Sequence, residues 1–130
     1  MSTRLEYYQQ LVTELYSVCE KNLAHDNMHS DDGKDSLMAM LNQLRSDYGK
    51  TEHYIALGQQ IINHIIAHYP AITPLMHRDL LWQFAGDCLH FLSDEEMQRY
   101  QDLEEHYYEL SHSDEQVSYS NLRAQLFGLH

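Results

Sequence analysis

Apolar residues recur at steps of three and four along most of this chain, and this spacing constrains the fold more than any other feature. Alternation of apolar and polar residues, which would indicate a strand, does not persist anywhere, and only two prolines and five glycines interrupt 130 residues. A repeat of three to four residues places side chains on one face of an α helix. The sequence therefore predicts an all-α fold: a single domain over residues 1–130, built as a bundle of about five to six helices.

The bounds of the helices follow from where the apolar spacing begins and ends. The predicted helices cover residues 3–24, 36–48, 51–69, 74–91, 93–110 and a short last helix that begins at Ser113 or Ser118. The third and fourth helices are apolar over a broad part of their circumference, so we expect them to form a central apolar pair. Residues 25–35 are predicted to form a polar loop.

Several residues indicate how these helices begin, end and pack. Thr73 is the predicted N-cap of the fourth helix, with Pro74 at its first position. Ser93 with Glu96 three residues later is a capping box for the fifth helix. Gly49 suits the residue that ends a helix, because a left-handed conformation costs glycine little. Gly58 lies inside a helix, where its most plausible use is a close approach between helices.

The charge of the chain excludes some classes of function. It has 8 Lys and Arg residues against 20 Asp and Glu residues, and residues 93–130 hold the greatest acidic excess. Nucleic-acid binding needs clustered basic side chains that neutralise phosphates, and anionic membranes need the same, so we expect neither as a partner. No signal peptide and no apolar run of about 20 residues are present, which predicts a cytoplasmic protein. Cys19 and Cys88 are expected to be buried thiols.

A metal site is one alternative, because polar residues form stripes on the third and fourth helices. His64 and His68 lie one turn apart on the third helix, and Asp87 and His90 lie on the polar side of the fourth. If these stripes faced each other, the four side chains would be plausible ligands for a divalent metal. The simpler interpretation is that both stripes face water. The glutamate that follows the first histidine in zinc hydrolases is missing after His64.

Tyrosine pairs give a second set of candidate residues. In Tyr7-Tyr8 and Tyr107-Tyr108 one ring of each pair can face the core while its neighbour, about 100° away, faces outward. Tyr7 and Tyr108 are therefore the predicted outward rings. Tyrosine is enriched at protein interfaces. We accordingly predict a partner-binding surface that includes Tyr7, Tyr108, Glu104 and Glu105; ordinary helix-flanking tyrosines are the alternative.

No catalytic constellation and no cofactor motif stand out, so an enzyme is the less favoured class. The leading hypothesis is a small cytoplasmic helical protein that regulates, adapts or chaperones another protein and associates with itself as a homodimer. A metal- or small-ligand-binding enzyme that uses the His and Asp stripes is the second hypothesis. The third is an acidic mimic of nucleic acid, with its charge between Asp94 and Glu109. No cofactor is expected, and a bound divalent metal is the lesser alternative.

Overall fold

The computed structural model describes residues 3–84, 92–111 and 118–128. Within these ranges the regular elements are all helical, which confirms the all-α prediction. The six α helices pack around one shared apolar core, as a bundle should. They are α1 (Arg4–Leu23), α2 (Asp31–Asp47), α3 (Tyr54–His68), α4 (Arg78–Phe84), α5 (Asp94–Ser111) and α6 (Tyr119–Leu126), and a 3₁₀ turn at Thr73–Leu75 precedes α4.

The first helix, α1, packs against α2, α4 and α6. The Thr3 hydroxyl accepts a hydrogen bond from the Glu6 N–H at 3.1 Å, which caps the first turn. Leu5 is 44% exposed, whereas Leu11 is buried. Cys19 is buried as predicted, and burial raises the pKa of its thiol to about 12. Cys88 lies outside the described residues.

The second helix begins five residues earlier than predicted, so the loop before it is shorter. The Ser30 side chain accepts a hydrogen bond from the Gly33 N–H at 3.1 Å and is the N-cap. Asp31 and Asp32 then occupy the first turn, where the positive end of the helix dipole favours acidic side chains. The run Asp31-Asp32-Gly33, which falls within the predicted loop of residues 25–35, is therefore the start of a helix.

The predicted contact between the third and fourth helices is present, because α3 packs against α4 as well as α2. Gly58 makes this close approach possible. A Cβ atom at Gly58 would lie 2.3 Å from the ring of Phe84, which is far inside van der Waals contact. Both residues are buried, so the glycine is a packing requirement of this helix pair.

The prediction for Thr73 is wrong. Its hydroxyl donates to the carbonyl oxygen of Tyr69 at 3.0 Å and so satisfies the end of α3 rather than the start of α4. Pro74 lies in the 3₁₀ turn, and Met76 has an extended backbone, which interrupts the helix predicted from residue 74. The α helix resumes only at Arg78, and residues 85–91 lie outside the described part.

The predicted helix ends in the remaining elements are confirmed. Ser93 and Glu96 form the reciprocal hydrogen bonds of a capping box, at 3.1 and 3.2 Å, at the start of α5. Ser118 caps α6 by accepting from the Asn121 N–H. Gly49 has φ 75°, the left-handed conformation expected after α2.

None of the described helices is both long and apolar enough to cross a membrane. The α1 helix has 20 residues, about the length that a hydrocarbon core requires. Its outer face, however, exposes charged side chains such as Glu14, Glu20 and Lys21.

Candidate functional site

A buried carboxylate connects four helices. Asp79 of α4 has 0% of its surface exposed. Arg123 of α6 contacts it twice, from Nε to Oδ2 at 2.5 Å and from Nη2 to Oδ1 at 2.9 Å. Tyr100 of α5 donates its hydroxyl to Oδ1 at 2.5 Å, and Tyr7 of α1 donates to Oδ2. Both carboxylate oxygens are therefore occupied, and Asp79 holds α1, α5 and α6 against α4.

The protonation states at Asp79 follow from these contacts. Burial alone would raise the pKa of Asp79, but the hydrogen bonds from Arg123, Tyr100 and Tyr7 hold it below its usual range. Burial, and then the hydrogen bond to Asp79, raise the pKa of both tyrosine hydroxyls. Asp79 is thus ionised and both phenols are neutral at pH 7. A carboxylate with both oxygens engaged and no exposed surface is suited to holding structure, not to attacking a substrate.

A second carboxylate, Glu104 of α5, organises a neighbouring network. Arg4 Nε contacts its two oxygens at 3.0 and 2.8 Å, and Trp82 Nε1 donates to Oε1 at 3.3 Å. Tyr119 of α6 donates to the same oxygen at 3.4 Å. Arg4 also reaches Gln83 at 2.6 Å. Glu104 was predicted as a partner contact. Its carboxylate is turned toward Arg4 at the edge of the inner face of α5, and its side chain stays 30% exposed, so partner binding by Glu104 stays a prediction.

The outer face of α5 is different, and it borders an open groove. We call this the α5 groove; its volume is about 610 Å³, and it is lined by Arg4, Glu104, Glu105, Tyr107, Tyr108, Glu109 and Ser111. Tyr108 is 64% exposed and Glu105 and Glu109 are exposed beside it. The predicted outward orientation of Tyr108 and Glu105 is therefore present. Partner binding by these two residues stays a prediction.

The expected outward orientation of Tyr7 is wrong. Its hydroxyl reaches Asp79, and its ring centroid lies 5.2 Å from the centroids of both Tyr8 and Tyr119. Both members of the Tyr7-Tyr8 pair point inward, because α1 is covered by α6 on one side and by α4 on another. A helix with neighbours on several sides can bury two adjacent residues.

The structure brings together two of the four predicted metal ligands. The rings of His64 and His68 lie 4.7 Å apart between centroids. Burial, and then the neighbouring histidines His68 and His29, lower the pKa of His64. Asp87 and His90 lie outside the described residues. In the part of the chain that is described, no three His, Cys, Asp or Glu side chains form a metal-binding group. The four-residue metal site and the expectation of no cofactor both stay predictions.

His29 also contacts this histidine pair, and no pattern in the sequence indicated this contact. His29 Nδ1 lies 2.5 Å from Asp26 Oδ2, and Nε2 lies 2.6 Å from the carbonyl oxygen of His68. Its ring also stacks on Tyr69 with 4.0 Å between centroids. Through His29, the loop between α1 and α2 is therefore in direct contact with the end of α3.

Sequence reasoning also missed the Asp79 cluster. The sequence predicted no role for Asp79. The one usable signal was its position directly before Leu80 and Leu81, which are both buried. Its partner Arg123 is 44 residues away, and the helical spacing carries no information about that distance.

In a comparison with protein families, the family model described as PA2817-like matches residues 1–129, which include the six helices that the structure describes. No curated protein and no solved structure matches the chain.

Proposed function

The chain belongs to the PA2817-like family, and we propose that it binds a partner protein through the α5 groove. The partner presents basic side chains to this groove. Binding of this kind makes the protein a regulator or adaptor rather than an enzyme.

The observation that carries the proposal is the exposure of Tyr108. The chain has ten tyrosines. Among the large apolar and aromatic side chains of α5 that the structure describes, Tyr108 differs from the others because it is 64% exposed. Tyr100 and Tyr107 of the same helix are in contact with the core. Exposed tyrosine beside a groove is typical of interface hot spots, because the ring contributes large contact area with few rotatable bonds.

The charge around Tyr108 supports a basic partner. Glu105 and Glu109 flank it on the outer face of α5, and both are exposed. Among the described residues that line this groove, Arg4 is the cation, and it is paired with Glu104. The groove therefore presents unbalanced negative charge next to an aromatic ring. The net charge of the chain is −12, and the resulting negative electrostatic field also increases the rate of association with a basic protein.

The same contacts make the nucleic-acid mimic a weaker proposal. A mimic needs a row of free negative charges with regular spacing, like a phosphate backbone. Along α5, Glu96 is paired with Arg78 and Glu104 with Arg4. These pairs interrupt the acidic run between Asp94 and Glu109.

We also propose that the protein acts in the cytoplasm and forms a homodimer. Two acidic α5 grooves repel each other, so this homodimer would use another surface. The exposed apolar side chains of Met28 and Leu75 supply surface for it, at 91% and 51% exposure. Sedimentation equilibrium tests the oligomeric state: a single monomeric species at all concentrations would contradict the homodimer while leaving the groove proposal intact.

A photo-cross-linking experiment tests the groove. A photoreactive phenylalanine analogue at position 108 is expected to capture a basic protein in native cells, and the same analogue at Tyr16, on α1, serves as the position control. The captured protein is then purified and its binding measured by calorimetry. We expect the Tyr108→Ala variant to weaken binding by at least about tenfold. The double variant Glu105→Lys/Glu109→Lys should weaken it further and remove its dependence on salt.

The matched control is Glu14→Lys/Glu20→Lys, which changes net charge equally on the exposed face of α1. It should retain binding, apart from a modest decrease in association rate. Equal binding by the wild type and Tyr108→Ala, or an effect of the control as large as that of the groove variants, would contradict the proposal.

A further inference from the structure

One pocket concentrates positive charge on this acidic molecule. Of the 8 Lys and Arg residues in the chain, Arg78, Arg99 and Arg123 line a single cavity of about 370 Å³. The three come from α4, α5 and α6 respectively. We call this cavity the arginine pocket. It is separate from the α5 groove, with which it shares no lining residue.

Two of the three arginines are held in position by carboxylates. Arg78 contacts both oxygens of Glu96, from Nε at 2.5 Å and from Nη2 at 2.8 Å. Arg123 contacts both oxygens of Asp79 in the same two-point manner. Guanidinium groups that are fixed before a ligand arrives lose little side-chain entropy on binding. The wall of the pocket is therefore preorganised.

Arg99 differs from these two arginines. Its side chain is exposed, and it forms no ion pair with any residue in the ranges 3–84, 92–111 and 118–128. Three arginines against Glu96 and Asp79 leave the pocket with excess positive charge. An anion bound at Arg99 would form an ion pair with its guanidinium group, as Glu96 does with the guanidinium group of Arg78.

His77 adds a hydrogen-bond donor to the same pocket. Its Nδ1 accepts a hydrogen bond from the Asp79 N–H at 3.1 Å, while its distance to Asp79 Oδ1 is 3.5 Å. Because Nδ1 acts as an acceptor, the neutral ring carries its proton on Nε2. The side chain is 39% exposed, so the Nε2–H of this imidazole is available to a ligand as a hydrogen-bond donor.

The remaining walls are apolar. Met76, Tyr100 and Phe127 also line the pocket. The Phe127 ring lies beneath the Arg123 guanidinium, with 4.6 Å from Cζ to the ring centroid. Tyr100 is fixed by its hydrogen bond to Asp79 and stacks on Trp82 at 5.3 Å. A ligand that fills this volume would place an apolar or aromatic body against these side chains.

We propose that the arginine pocket binds a small organic anion, in which a phosphate monoester or a carboxylate is attached to an apolar or aromatic body. The oxyanion contacts Arg99, Arg78 and the His77 ring, and the body covers Phe127. The cavity volume lies within the usual range for small-molecule sites, roughly 300–1,000 Å³. This site is independent of partner binding at the α5 groove.

Titration with model compounds tests the proposal. Binding of phenyl phosphate and of phenylacetate compares a phosphate monoester with a carboxylate. Binding of inorganic phosphate tests an anion that carries no apolar group. Trp82 is the only tryptophan, and its stacking on Tyr100 makes its fluorescence a local reporter. We expect saturable binding of at least one phenyl compound below about 1 mM, and binding of inorganic phosphate at least tenfold weaker.

The decisive variant is Arg99→Glu, because Arg99 can be changed without breaking an ion pair in the described residues. We expect it to weaken binding of the phenyl compound by at least about tenfold. Lys50→Glu is the matched control: it makes the same change in net charge at an exposed residue that does not line the pocket. The control should bind within about twofold of the wild type, since a distant exposed charge is screened.

Three results would overturn the proposal. The first is no saturable binding of either phenyl compound up to about 10 mM. The second is equal binding by wild type and Arg99→Glu. The third is that the wild type is a dimer and that Arg99→Glu dissociates it, which would assign the pocket to a carboxylate of a second copy.

Discussion

The two faces of α5 carry the same residue types and use them in opposite ways. On the inner face, Tyr100 donates to buried Asp79 and Glu104 accepts from Arg4, so phenol and carboxylate join helices together. On the outer face, Tyr108 and Glu105 are exposed beside a groove. Removal of an inner group leaves a buried or half-buried partner unsatisfied, whereas removal of an exposed outer group uncovers little buried surface.

This contrast separates stability from binding in a single helix. Variants of the inner face should lower the free energy of unfolding. Variants of the outer face should lower affinity for the partner and leave the fold unchanged.

The largest effect on stability is expected for Asp79→Asn. The substitution removes the charge that pairs with Arg123, which is itself only 14% exposed at its side chain. Loss of one member of a buried ion pair commonly costs about 3–5 kcal/mol. Urea unfolding followed by circular dichroism measures this. The outer-face variant Glu109→Gln should change stability by less than about 0.5 kcal/mol. Similar losses for the two variants would remove the distinction between the faces.

The decrease in the free energy of unfolding at low pH should also come largely from Asp79. The pKa of Asp79 is lower in the folded protein than in the unfolded chain. Its stabilising contribution is therefore complete at pH well above about 4 and is lost as the pH falls through its folded value. Between pH 6 and pH 2, the wild type should lose more stability than Asp79→Asn. Parallel curves for the two proteins would show that Asp79 is not the controlling group.

Alkaline unfolding tests the inner tyrosines together. Burial is the first cause that raises the pKa of the five phenols Tyr7, Tyr8, Tyr48, Tyr100 and Tyr119. A raised pKa gives stability below pH 10 that is lost as the pH increases beyond it. These phenols should ionise only as the protein unfolds. The part of the absorbance change at 295 nm that comes from these five phenols should then coincide with the loss of circular dichroism above pH 10, and ionisation of all ten tyrosines before the circular dichroism changes would contradict this.

Smaller effects come from single hydroxyl groups. Tyr100→Phe removes one donor to Asp79 and should cost about 1 kcal/mol. Tyr108→Phe removes a hydroxyl on the exposed face and should cost less than about 0.5 kcal/mol. Thermal or urea unfolding of Tyr100→Phe and Tyr108→Phe gives the loss in the free energy of unfolding for each variant. A larger loss for Tyr108→Phe would show that Tyr108 helps to hold the fold.

The sequence predicted best those features that depend on a few neighbouring residues. The capping box at Ser93, the N-cap at Ser118 and the left-handed Gly49 are local, and all are present. Thr73 was placed wrongly because a threonine hydroxyl can serve the helix before it as well as the helix after it. Local patterns do not decide between these two roles.

The candidate sites needed tertiary structure. Tyr7 and Tyr108 look alike in the sequence, since each belongs to an adjacent pair of tyrosines. Tyr7 points inward because α1 is surrounded by α2, α4 and α6, and no spacing rule reports the number of neighbours. Asp79 is buried because Arg123, 44 residues later, neutralises it. Such a pair can be recognised only when the helices are assembled.

Binding of the cross-linked partner by Tyr108→Ala, measured beside Tyr100→Phe, tests the division between the two faces most directly. We expect Tyr108→Ala to lose at least about tenfold in affinity with an unchanged unfolding midpoint, and Tyr100→Phe to unfold more easily while it keeps its affinity. Equal affinity of Tyr108→Ala and the wild type for that partner would contradict the proposed role of the α5 groove.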